Sequence, residues 1–181
     1  SRHLSRLASS ANDVGIPLPV TAEALAAEIR KTVAASGEGE RAIRVMLTRG
    51  VGEWGLMPEE EGRATRVLLV QELHRPSEEA YRTGIAAVTW QVQRPGDGTE
   101  ASAAKIGNYL VAILAARRAA VQGAAETLLL DPRGRVLEGS TSNVFFVKEG
   151  VLMTPPTSAG ILDGTVRRRV LELAAESGVT V

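Results

Sequence analysis

Leu4, Leu7, Ala8 and Ala11 recur at helical spacing in "SRHLSRLASSANDVGI", and Gly15 with the two prolines of "GIPLPV" stops that helix. Thr21 then precedes "AEALAAEIRKTVAAS". It predicts a second, N-capped helix with Glu23 and Glu28 toward its start and Lys31 toward its end, as the helix dipole prefers. "AIRVMLTRG" alternates as a strand does, with Ala42, Arg44, Met46 and Thr48 on one side and Ile43, Val45 and Leu47 on the other. After a Gly-rich loop, "GVGEWGLMPEEEG", two more strands are predicted in "ATRVLLVQEL" and "GIAAVTWQV", with a turn and short helix around "RPSEEAYRTG" between them. "QRPGDGTEAS" combines Pro, Gly and polar residues and reads as a linker.

From Ala103 the pattern changes. "YLVAILAARRAAVQGA" predicts a strong helix ended by Gly123. "TLLLD", "PRGR" and "VLEG" predict a hairpin, and "NVFFVKEGVLMT" a second one turning at "KEG". After the loop "TPPTSAGILDG", "TVRRRVLELAAESG" predicts a helix with Val166, Val170, Leu171 and Ala174 on its apolar side. The pattern is α+β in two parts, 1–94 and 101–181, joined by a linker at 95–100, and a boundary between domains is a usual place for a ligand. The chain opens inside a helical pattern and stops where a strand starts, so flanks beyond both ends are expected.

Composition narrows the function. Hydrophobic residues make up 44% and charged residues 23%, with zero formal net charge, the balance of a soluble globular protein. No basic run is interleaved with aromatics, so no nucleic-acid face is expected. The absence of cysteine excludes disulfides and thiolate chemistry. His3 and His74 stand far apart, and no metal site is expected. No apolar run approaches a membrane span and no signal peptide opens the sequence, which predicts a cytoplasmic protein without a membrane partner. Among 21 basic residues only Lys31, Lys105 and Lys148 are lysine. Arginine stays protonated in proteins, whereas a lysine amine can act as a nucleophile. A lysine kept among the small residues of "ASAAKIGNYL" therefore asks for a reason.

Three stretches of the second part, "KIGNYL" (105–110), "LEGSTSNVF" (137–145) and "GILDGTVRR" (160–168), resemble in order and spacing the class IV aminotransferases, the fold-type IV enzymes that use pyridoxal 5'-phosphate (PLP). "HLSRLASSA" resembles that family's His-x-x-Arg-Leu helix, and "VLMTPP" is also typical of it. The family includes branched-chain and D-amino-acid aminotransferases and aminodeoxychorismate lyases. The resemblance implies a small α/β domain and a larger pseudo-barrel domain, here shortened at both ends, and a homodimer.

It also implies roles. Lys105 would hold PLP as a Schiff base and then move the proton at the substrate's Cα. An isolated lysine there would simply start a surface helix; in register with the other motifs it has a chemical reason. Glu138 resembles the carboxylate beside the pyridine nitrogen, with Gly139 letting backbone approach the ring. Tyr109 resembles the tyrosine on the cofactor's phenolic oxygen, its alternative being a half-buried core tyrosine. Arg6 matches the phosphate-binding arginine of the N-terminal helix, and Ser140 and Thr141 would add hydroxyls and amides. Thr165 and Val166 open a helix whose N-terminus suits an anion; many members carry Thr where this chain has Val166, which offers only its N–H. Arg44 and Arg49 are candidates for the substrate carboxylate and Trp54 for a pocket wall.

Two features bear on the substrate. Lys105 and Asn108 keep the Lys-x-x-Asn spacing of the D-amino-acid enzymes and the lyases, where branched-chain enzymes carry one more residue. The arginine and histidine that hold the substrate carboxylate in D-amino-acid enzymes are missing from "VGEWGL". An aminotransferase exchanging amino groups between an amino acid, of D or branched-chain type, and a 2-keto acid by a ping-pong route is the implied activity. The lyase reaction, yielding 4-aminobenzoate and pyruvate, is the alternative.

Overall fold

Caps and alternation build the first elements. The structure is a computed structural model that describes residues 1–16, 18–52, 55, 64–93 and 104–181. It divides into two units, Ser1–Pro76 and Ser77–Val181. In the first unit α1 (Arg2–Asp13) buries Leu4 and Ala11, the two ends of the predicted apolar stripe. α2 (Ala22–Ala35) starts where Thr21 Oγ1 accepts from the Ala24 N–H at 3.2 Å, satisfying one of the amides that a helix start leaves unpaired. β1 (Arg41–Thr48) and β2 (Thr65–Glu72) pair antiparallel, from Arg41↔Glu72 to Thr48↔Thr65. Arg66 on β2 donates to both oxygens of Glu28 on α2, at 2.7 and 2.5 Å, and this two-point contact ties helix to strand.

The second unit is built on one mixed sheet. α3 (Glu78–Thr83) is capped by Ser77. β3 (Ala87–Gln91) runs parallel to β4 (Glu126–Leu130), and β4 pairs antiparallel with β5 (Val136–Gly139), giving the order β3-β4-β5. The β3–β4 connection crosses over through α4 (Leu110–Val121), as parallel pairing requires. The expected linker, 95–100, lies outside the described residues; the units divide between Pro76 and Ser77. The reason is the sheet. β3 makes its ladder with β4, and Val92 N–H extends it to the Leu130 carbonyl at 2.9 Å.

Alternation along β4 is strict: Thr127 and Leu129 are buried, the residues between them less so. Leu129 packs with Val92, Ala115, Leu137 and Ile161 into the core of this unit, with Trp90 and Ala159 against it. Thr127 is fully buried, and its hydroxyl donates to the Ala115 carbonyl of α4 at 2.7 Å, so the polar group costs nothing unpaired. In the β4–β5 turn Asp131 accepts from the N–H groups of Arg133 and Arg135 and from Arg135 Nε. β6 (Phe146–Lys148) and β7 (Val151–Met153) form the second hairpin, turning through Glu149 (φ 52°) and Gly150 (φ 81°).

α5 (Thr165–Glu176) departs from its expected apolar side at one end. Val166 is 74% exposed, whereas Arg167 is buried. Arg167 reaches inward because Nη2 donates to the Pro155 carbonyl at 3.0 Å and the guanidinium faces Asp163. Among the described residues no helix is long and apolar enough to cross a membrane, and no group of three or more His, Cys, Asp or Glu is placed to hold a metal ion.

Candidate active site

The crossover places its lysine beside the end of β5. Residues 104–109 lead into α4 and form one wall of a cavity of about 250 Å³ within the second unit. Lys105, Ile106, Asn108 and Tyr109 line that wall; Glu138, Gly139 and residues 140–143 line the opposite one, with Gly160 and Leu162 completing it. Lys105 Nζ lies 5.9 Å from the centroid of the Tyr109 ring. An amine and a phenol from one sequence motif and a carboxylate from another thus share one cavity.

Glu138 is held in place. Its Oε2 accepts from the Leu162 N–H at 3.1 Å and from Asn143 Nδ2 at 3.3 Å. Asn143 Nδ2 also donates to the Leu162 carbonyl at 2.9 Å. One amide thereby fixes both the carboxylate and the loop that leads to α5. Gly164, the N-cap of α5, lies so close that a Cβ there would overlap Asn143 Oδ1. Gly164→Ala is expected to push the Asn143 amide off Glu138 and Leu162 and to destabilise the protein by about 1–3 kcal/mol, read as a lower urea midpoint with an unchanged slope.

The 139–142 turn shows a residue that sequence reasoning missed. Glu126, the first residue of β4, accepts from the N–H and the hydroxyl of Ser140, at 3.0 and 2.6 Å, and from the Ser142 hydroxyl at 3.1 Å. Burial pushes its carboxyl up, but these bonds and one from the Thr127 N–H outweigh that and hold it below the usual carboxylate range. The Ser140 hydroxyl hydrogen therefore points at Glu126. Thr141, also on the cavity wall, has no side-chain partner among the described residues. At the start of α5, Thr165 is half-buried and Val166 exposed, and the first-turn N–H groups have no partner within the helix.

The remaining candidates belong to the first unit. Arg6 is half-buried on α1, and Arg44 is exposed on β1 opposite Leu69. Arg49 donates from Nη2 to the Val14 carbonyl at 3.2 Å, tying down the end of α1. Trp54 lies outside the described residues.

The family model described as amino-transferase class IV matches residues 1–181, the whole chain. The chain belongs to the class IV aminotransferases. Among relatives of this class IV chain, a Methanocaldococcus jannaschii protein that carries the provisional name branched-chain-amino-acid aminotransferase is 37% identical over 179 residues, 99% of this chain and 61% of its own length. A Mycobacterium tuberculosis protein named as a bifunctional aminodeoxychorismate lyase and D-amino acid transaminase is 31% identical, covering 97% of this chain and 63% of its own. The crystal structure of an Escherichia coli branched-chain amino acid aminotransferase superposes with a TM-score of 0.90 at 29% identity, over 99% of this chain and 60% of that one. The fold expected from the motifs is thus the fold observed. The class IV chain spans about three fifths of the length of these relatives.

Proposed function

We propose that this chain carries the coenzyme site of a PLP-dependent aminotransferase that exchanges an amino group between a branched-chain amino acid and a 2-keto acid. The observation that carries the reading is the convergence of Lys105 and Glu138 on one cavity. The donor set fits the coenzyme: Lys105 offers a primary amine for its aldehyde, Glu138 a carboxylate for its ring nitrogen, and Tyr109 a phenol for its ring oxygen. Thr141 and the first-turn amides of α5 would offer hydrogen bonds for its phosphate.

When bound, the coenzyme supplies an electron sink for the negative charge that develops at the substrate's Cα. The chain's own residues do the rest. Lys105 Nζ would take up the proton from that carbon and deliver it to the coenzyme's former aldehyde carbon, so that the amino group changes hands. Glu138, its Oε2 pinned by Leu162 and Asn143, keeps one orientation through the cycle, which is the preorganisation an electrostatic partner needs. Arg44 and Arg49 are the candidates for the substrate carboxylate, and Trp54 for the pocket wall. A cytoplasmic homodimer completes the reading, on the strength of the family resemblance.

The names of the relatives favour a branched-chain substrate. The Lys-x-x-Asn spacing and the Mycobacterium tuberculosis relative support a second reading, a D-amino-acid transaminase or an aminodeoxychorismate lyase. Mixing the PLP-loaded protein with L-leucine, D-alanine or aminodeoxychorismate separates them. Conversion of the coenzyme to its amine form with L-leucine alone supports the first reading. Conversion with D-alanine, or turnover of aminodeoxychorismate without conversion by any amino acid, would replace it by one arm of the second.

A further inference from the structure

Glu126 takes no part in the chemistry just described, yet four donors converge on it. Its Oε1 accepts from the N–H of Thr127 at 2.8 Å, the N–H of Ser140 at 3.0 Å and the Ser140 hydroxyl at 2.6 Å; its Oε2 accepts from the Ser142 hydroxyl at 3.1 Å. The base beneath it is firm, because neighbouring Thr127 is fully buried and bonded to α4. The turn is wrapped tightly around the carboxylate. Gly139 N–H donates to the Ser142 carbonyl at 2.7 Å, and a Cβ on Gly139 would overlap the Ser142 hydroxyl and come within 2.9 Å of Glu126 Oε2.

A carboxylate behind a turn that, on the coenzyme reading, would meet a phosphate needs a reason, since its charge opposes an anion. The hydrogen bonds supply one. A hydroxyl has a single hydrogen to donate, and those of Ser140 and Ser142 are spent on Glu126. The Thr141 hydroxyl is the one left on this turn to face the cavity. We propose that Glu126 is a positioning residue for the coenzyme's phosphate, drawing the Ser140 and Ser142 hydroxyls inward so that Thr141 presents its donors to the ligand. The inference rests on the coenzyme reading above and deepens it.

The test uses the full chain loaded with PLP and follows the coenzyme's Kd together with the phosphorus NMR shift of its bound phosphate. Glu126→Gln keeps the shape and removes the charge. It is expected to weaken PLP binding about tenfold, the difference between a charged and a neutral acceptor, and to move the phosphorus resonance. A merely structural role would lower the melting temperature of the coenzyme-free protein and leave the Kd of the folded protein unchanged. Ser140→Ala in the Glu126→Gln background is expected to add less than about twofold, because both changes act through one contact. Should Glu126→Gln fail to fold, Ser142→Ala removes a single exposed contact and is expected to weaken binding about threefold. PLP bound within twofold of wild type with an unmoved resonance, in whichever of these variants folds, overturns the positioning role and leaves the coenzyme reading standing. A wild-type protein that takes up no PLP overturns both.

Discussion

Lys105→Ala is expected to abolish the visible absorption band that PLP gives when bound to the wild-type protein and to lower amino-group transfer by on the order of a thousandfold or more. Two functions are lost together. The alanine has no amine to hold the coenzyme's aldehyde, and no base remains at the substrate's Cα, where a positioned base is worth roughly 10²–10⁴-fold. Lys105→Arg separates charge from nucleophilicity: it retains the cation but not a deprotonatable amine, so it is expected to fail as fully as alanine. The absorbance of PLP-incubated, desalted protein between pH 7 and 9 checks both variants. A band of wild-type strength in Lys105→Ala would move the coenzyme link to another residue, and Lys31 and Lys148 are the remaining lysines.

Glu138→Gln has the second largest expected effect. The glutamine can still accept the Leu162 N–H through its amide oxygen, so the fold and the cavity should survive. What disappears is the full negative charge that, on the proposed reading, would face the coenzyme's ring nitrogen. Removing one preorganised electrostatic group of this kind costs about 10²–10³ in kcat. The expected outcome is a kcat reduced by that factor, with the melting temperature close to wild type. A single-turnover measurement locates the loss in proton removal rather than in product release. A loss confined to KM would instead make Glu138 a binding group and remove its assigned role.

Much of this architecture could be read from the residues because it rests on local rules. Thr21 and Ser77 cap helices with a side-chain oxygen to an amide three residues on, a contact that four consecutive residues specify. Glu149 and Gly150 turn a hairpin at positive φ, as the letters "KEG" suggest. The motif residues Lys105, Tyr109 and Glu138 converge, because each sits next to a well-signalled element end. What escaped depends on distant pairing. β3 looks like the last strand of the first part until its ladder with β4 is seen, and no local pattern names a parallel partner across a helix. Glu126 reads as an ordinary strand-start glutamate; only the folded hairpin brings the 139–142 turn onto it. Val166 and Arg167 exchange their expected places because one carbonyl, that of Pro155, draws the guanidinium inward.

The ladder between β3 and β4 also determines where the polypeptide can be cut. Expressing residues 101–181 alone would strip β4 of its neighbour, leave a bare row of amides and carbonyls on that side, and remove Trp90 and Val92 from the apolar cluster. Such a piece should precipitate, whereas one begun at Ser77 keeps the whole three-stranded platform. Comparing the two in a sedimentation assay would show whether the lysine-bearing half can stand by itself.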